Sequence, residues 1–256
     1  MAKKLRPVGH EDRLSLVEHL DELRTRLIFC IVAFGAAFAL CFWQDSRLID
    51  IVNEPLPPGN EPITLSPAEP LMTTVTVAAY AALLLSMPVL LYQLYAFVLP
   101  AFSPTEKRVA LPLLLLVPFL FVGGVLFGYF VVLEPALDFL LGFNTKEFQT
   151  EVRARDYYGF VSLSLLSMGV LFQIPVGVLG LTRLGITTPE KLRKNRRYAI
   201  LGCAVLAAIL PTIDPVTMLI EMVPLVVLYE LSIVLAAFLG RPRSETVEPA
   251  AAAEGS

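Results

Sequence analysis

The residues of this chain that could do chemistry are carboxylates and an amide set at the edges of apolar runs or inside them. Glu22 lies in Ser15-Leu16-Val17-Glu18-His19-Leu20-Asp21-Glu22-Leu23-Arg24-Thr25-Arg26-Leu27, which leads directly into the apolar stretch 28–42. Glu106 opens Glu106-Lys107-Arg108, just ahead of another apolar run. Gln173, Glu221 and Glu230 interrupt such runs, where a polar group is costly enough to be a functional candidate by default. A carboxylate buried there must be protonated or paired. One at the surface can accept a cation, and a guanidinium makes the strong, bidentate version of that contact. The bland readings are a solvated helix face held by Glu22/Arg26 and Asp21/Arg24, a loop charge at Glu106, and an interhelical hydrogen bond of about 0.6 kcal/mol at Gln173.

Nothing in the sequence forms a catalytic set. The only histidines, His10 and His19, have no cysteine or second histidine at ligand spacing, so no metal site is expected. There is no Gly-rich phosphate loop and no G-x-S-x-G, and the serines Ser86, Ser162, Ser164 and Ser167 have no histidine partner. The expectation is a protein that is not an enzyme and carries no cofactor. Cys30, Cys41 and Cys203 form no C-x-x-C and read as packing residues, with Cys41 and Cys203 a remote disulfide candidate. A net charge of −3 gives no electrostatic basis for nucleic-acid binding.

The elements that position these residues must be membrane helices. Of 256 residues 56% are hydrophobic and the mean hydropathy is +0.69, more apolar surface than one soluble core buries. A hydrocarbon core of about 30 Å takes about 20 helical residues. Apolar runs predict six spans in an all-α domain over 1–240: 27–42, 71–99, 109–133, 158–181, 199–210 and 216–239. The fifth, at about 12 residues, would reach only about 18 Å. Ser15 and Glu18 read as a capping box that starts a surface helix, which then turns into the membrane. Pro88 is expected to break the second run, and prolines within spans to bend helices toward a concave shape. The proline-rich segment 43–70 reads as a stiff outer cap. Sixteen of the twenty lysines and arginines fall on one side if the N-terminus is inside, which places both termini in the cytoplasm. The first apolar run has no cleavage site and reads as a retained span. The tail 241–256 has the composition of a disordered segment.

Several stretches together resemble one family. They are His19-Leu20-Asp21-Glu22-Leu23-Arg24-Thr25-Arg26-Leu27, Pro55-Leu56, Ser66-Pro67-Ala68-Glu69-Pro70, Leu91-Tyr92-Gln93-Leu94-Tyr95-Ala96-Phe97-Val98-Leu99-Pro100, Glu106-Lys107-Arg108, Gly128-Tyr129-Phe130 and Leu192-Arg193-Lys194-Asn195-Arg196-Arg197-Tyr198. Over residues 14–240 the chain resembles the TatC family, the multispanning core of the twin-arginine protein translocase. The resemblance implies six spans in the bacterial inner membrane, cytoplasmic termini, short fifth and sixth helices and a glove-like shape. It implies binding of twin-arginine signal peptides on folded cargo. With the single-span partners TatA and TatB, it implies export driven by the proton-motive force, with self-association in the receptor complex and contact with membrane lipid.

Carried over residue by residue, the resemblance makes Glu106 the main carboxylate for the arginine pair, with Glu22, Arg24, Phe97 and Phe102 shaping the site. Pro55 matches a position in the outer cap and Asp214 an acidic residue of the last outer loop. Gln173 falls where some members carry a glutamate, Pro211-Thr212-Ile213-Asp214 replaces a Thr-Pro-Pro-Asp pattern, and Glu221 is an added carboxylate. Gln173 and Glu221 are expected to meet a polar group on a partner's helix. The competing reading is a small-solute or ion transporter gated by the proline-rich cap.

Overall fold

The structure is a computed structural model and describes residues 10–98, 104–147, 150–183, 185–209 and 215–239, with side chains over 20–97, 116–147, 150–182, 185–209 and 215–238. The chain is all-helical in these parts. In order come α1 (His10–Trp43), α2 (Asp45–Asn53), α3 (Glu69–Val98), α4 (Pro104–Phe127), α5 (Leu133–Gly142), α6 (Ala154–Leu171), α7 (Ile174–Arg183), α8 (Pro189–Lys194), α9 (Arg196–Ile209) and α10 (Pro215–Leu239). A π-helical turn, Gly128–Val132, joins α4 to α5 without a break. The expected tail 241–256 lies outside the described residues.

Among the described residues, five segments are long and apolar enough to cross a membrane: Leu20–Trp43, Glu69–Phe97, Leu116–Gly142, Ala154–Thr182 and Pro215–Phe238. The 14 described residues of α9 extend about 21 Å, less than a hydrocarbon core of about 30 Å. The sixth run is not short, contrary to the expectation. α10 has 25 residues and passes through Pro224, because the apolar sequence meets no further breaker before Leu239.

Two other expectations are corrected. α1 is one unbroken helix over His10–Trp43, already helical ahead of the Ser15 capping box and without a break between a surface part and the span. Nothing in the sequence between Leu14 and Gly35 breaks the ladder. α3 likewise runs through Pro88. The proline that does interrupt a helix is Pro175: α6 ends at Leu171 and α7 begins at Ile174, since Pro175 has no N–H to continue the ladder.

α3 is the hub, packing against α1, α2, α4 and α6, while α7 and α9 pack on α10. Small residues let backbones approach, which drives association where lipid removes the hydrophobic difference. Ala37 and Cys41 of α1 meet Ala78 and Ala82 of α3. Gly124 and Gly128 of the α4 rod face α6; a Cβ on Gly124 would lie 2.6 Å from the Met168 carbonyl oxygen, and one on Gly169 would lie 2.5 Å from the Phe121 ring. Cys203 packs with Ala207 and Leu225 in a different cluster from Cys41, and all three cysteines are free thiols, so the disulfide candidate is excluded. Phe119 and Phe238 are 74% and 84% exposed amid many other outward apolar side chains, a surface that a bilayer covers.

The segment after α1 is fastened rather than floppy. The last carbonyls of a helix lack internal donors, and tyrosines supply them: Tyr157 donates to the Val52 carbonyl at 2.6 Å and Tyr129 to that of Ile51 at 2.7 Å. Tyr158 donates to Asn53 Oδ1 at 3.0 Å. Ile63 then forms a parallel β-bridge with Arg153, tying the cap to the start of α6.

Candidate functional site

Glu22 and Arg26 stand one turn apart on α1, so their side chains share a face. Arg26 Nε and Nη2 both donate to Glu22 Oε1, at 2.9 and 2.6 Å. The third nitrogen, Nη1, donates to Gln93 Oε1 on α3 at 2.7 Å. A guanidinium is therefore already seated between a carboxylate and an amide oxygen at this end of the bundle. The pair is half-buried, with the Arg26 and Glu22 side chains 25% and 37% exposed. Gln93 was not singled out from the sequence. Its signal was available: an amide among apolar residues on a membrane-length helix.

Phe97 lies one turn beyond Gln93 on α3 and is half-buried. Arg24 is exposed and lies off the face that Glu22 and Arg26 share. α3 packs against α4, and residues 99–103 connect them, so the start of α4 falls at the same end of the bundle as Gln93. Glu106 is the third residue of α4, where the helix dipole favours a negative charge. Its side chain, like Phe102 and Asp214, lies outside the described residues.

The other expected residues lie elsewhere. Pro55 follows Glu54 in the cap at the opposite end, where the Glu54 carboxylate accepts from Tyr129 at 3.0 Å. At that end too, Arg153 Nε donates to Glu69 Oε1 at 2.9 Å. The hydrogen bond and the charge of Glu69 raise the Arg153 pKa further above its ordinary value. Gln173 sits at the α6–α7 break; its Nε2 donates to the Val117 carbonyl at 3.2 Å, while its Oε1 is buried without a donor among the described residues. Glu221 on α10 is 0% exposed and packs inside this chain. Glu230 pairs with Arg196 of α9 at 2.6 Å.

The arrangement holds and positions a guanidinium at one end of a bundle of membrane helices. The family description "Sec-independent protein translocase protein (TatC)" matches residues 18–224, which include Glu22, Arg26 and Gln93 of this site. The chain belongs to the TatC family. The TatC protein of Desulforapulum autotrophicum is 36% identical over 94% of this chain and 91% of its own length. That of Aquifex aeolicus is 38% identical over 91% and 98%, and that of Escherichia coli K12 34% over 92% and 94%. The crystal structure of the twin arginine translocase receptor TatC in DDM superposes with a TM-score of 0.75 at 37% identity, covering 88% of this chain and all of that one. TatC is a non-enzymatic component of a protein translocase that works with other Tat subunits in twin-arginine translocation. This TatC is a multi-pass membrane protein.

Proposed function

We propose that this chain is the signal-peptide receptor of a twin-arginine translocase in the bacterial inner membrane. It binds the arginine pair of signal peptides on folded cargo at its cytoplasmic face. With TatA and TatB it drives export at the expense of the proton-motive force. The observation that carries the reading is the seat of Arg26. A half-buried carboxylate and an amide oxygen from two helices hold a guanidinium at the end of the bundle where α4 carries Glu106 in its first turn. Glu106 takes one peptide arginine, and Glu22, whose Oε2 has no bonded partner among the described residues, takes the other alongside Arg26. Phe97 and Phe102 flank the peptide, and Arg24 stands at the rim. Guanidinium is preferred over ammonium because its planar fork matches the carboxylate and is less strongly hydrated.

The same reading takes the N-terminus as cytoplasmic, from the lysine and arginine distribution. α9 completes a sixth crossing, the bundle is concave, and copies of the chain associate in the receptor complex. Pro55 and Asp214 belong to the outer side. Gln173, with its open Oε1, meets a polar group on a partner helix, and Glu221 adds to that polarity from within α10. In cells lacking their own TatC, this chain is expected to restore export of a folded reporter carrying a twin-arginine signal, given matching TatA and TatB. Export with the arginine pair replaced by lysines at an undiminished rate contradicts the proposal.

A further inference from the structure

At the end of the bundle opposite Glu22 lies a pocket of about 380 Å³ between the starts of α3 and α6, lined by Ser66, Thr73, Arg153, Arg155 and Tyr158 among others. Its one carboxylate is already engaged. Glu69 Oε1 accepts from Arg153 Nε at 2.9 Å, and Oε2 accepts from the Leu65 N–H at 2.9 Å and from Arg153 Nη2 at 3.4 Å. Arg153 is taken up by Glu69, with Asp156 also close to it, and the exposed guanidinium of Arg155 is the second cation lining the pocket. Thr73 stands one turn inside the membrane from Glu69. It is 7% exposed, and its Oγ1 has no hydrogen-bond partner among the described residues.

A buried hydroxyl left unsatisfied costs about 1–3 kcal/mol, so its place in a pocket that also holds the Arg155 guanidinium calls for an acceptor. The first N–H groups of α6 are already spent, Ala154 on the Ile63 carbonyl and Arg155 on Glu69, so the side chains must hold the ligand. Met72, on the first turn of α3, is an exposed apolar side chain that lines the pocket and sets it at the boundary between headgroup and acyl chain. We propose that this pocket binds the phosphate of an anionic phospholipid. Arg155 and the Thr73 hydroxyl hold the phosphate oxygens, and an acyl chain lies along Met72. In the orientation proposed above, the lipid belongs to the outer leaflet, and it braces the cap against α3 and α6.

The test uses the purified full chain in detergent, with bound lipid read by native mass spectrometry against phosphatidylglycerol and inorganic phosphate. The wild type is expected to retain phosphatidylglycerol. Thr73→Val with Arg155→Gln is expected to lower its occupancy at least about tenfold, as loss of hydrogen bonds to a charged group implies. Arg155→Gln alone, at an exposed side chain, gives most of that loss without altering the thermal midpoint. Arg47→Gln, an exposed charge lost from α2, leaves occupancy unchanged. Millimolar inorganic phosphate does not displace the lipid. Equal retention by the double variant, or an equal loss in Arg47→Gln, overturns the proposal. Full displacement by inorganic phosphate also overturns it, since the site then takes a soluble anion.

Discussion

Gln173 is held by half of its amide: the nitrogen donates to the Val117 carbonyl, while the oxygen is buried without a donor. Removing both groups together deletes one hydrogen bond and one orphan acceptor, so Gln173→Leu is expected to change stability by less than about 1 kcal/mol. Gln173→Glu sets a carboxylate where the described neighbours offer a carbonyl, and is expected to lower the thermal midpoint by more than Gln173→Leu does. Thermal unfolding in detergent checks both, and a larger loss for the leucine variant contradicts this account. The near half of the guanidinium seat was legible in the sequence, because Glu22 and Arg26 are four residues apart on a periodic helix. Gln93 was not. It lies 67 positions from Arg26, and no local pattern reports a contact that only the packing of α1 on α3 creates. Glu230, expected as a buried carboxylate inside a span, is instead 41% exposed, and it is paired with Arg196 of α9.

At the level of elements, the α4–α6 contact depends on glycines. The Cβ of Gly124→Ala would fall 2.6 Å from the Met168 carbonyl oxygen and 2.8 Å from the Phe172 ring, so the helices must separate. Overpacking of this kind costs about 1–3 kcal/mol. Gly123→Ala, with nothing within 4 Å, serves as the harmless control; equal midpoints for the two variants contradict the packing account. The cap gives a second test. Tyr157→Phe removes the 2.6 Å bond to the Val52 carbonyl and is expected to cost about 1 kcal/mol. Amide hydrogen exchange should then quicken in α2 while α10 is unchanged, and uniform exchange across the chain contradicts the clamp. The apolar runs marked the long helices because membrane length leaves a 20-residue signature. Which proline breaks a helix was not legible. Pro88, Pro175 and Pro224 have the same local chemistry, and the surrounding helices decide which ladder can absorb the missing bond.

For the whole molecule, the lateral apolar surface and the family place the chain in a membrane, and the rest of the account concerns what its two ends do. If α9 crosses, its reach of about 21 Å requires the bilayer to thin beside it. Spin-labelled lipids are expected to report a thinner bilayer near α9 than near α3. A variant with one extra turn in α9 should restore the thickness, whereas equal thickness around both proteins contradicts the idea. The central claim is recognition of paired guanidinium groups at the Glu22–Glu106 end. Its most direct measurement is the affinity of this chain, in a lipid nanodisc, for a labelled twin-arginine signal peptide and for the same peptide with both arginines changed to lysine. Wild type, Glu106→Gln and Glu22→Gln are compared. The account predicts that the wild type prefers the arginine peptide by about tenfold or more, as charge-assisted bidentate bonds imply, that Glu106→Gln abolishes the preference and that Glu22→Gln reduces it. Equal binding of the two peptides by the wild type, or a preference that survives Glu106→Gln, would contradict it.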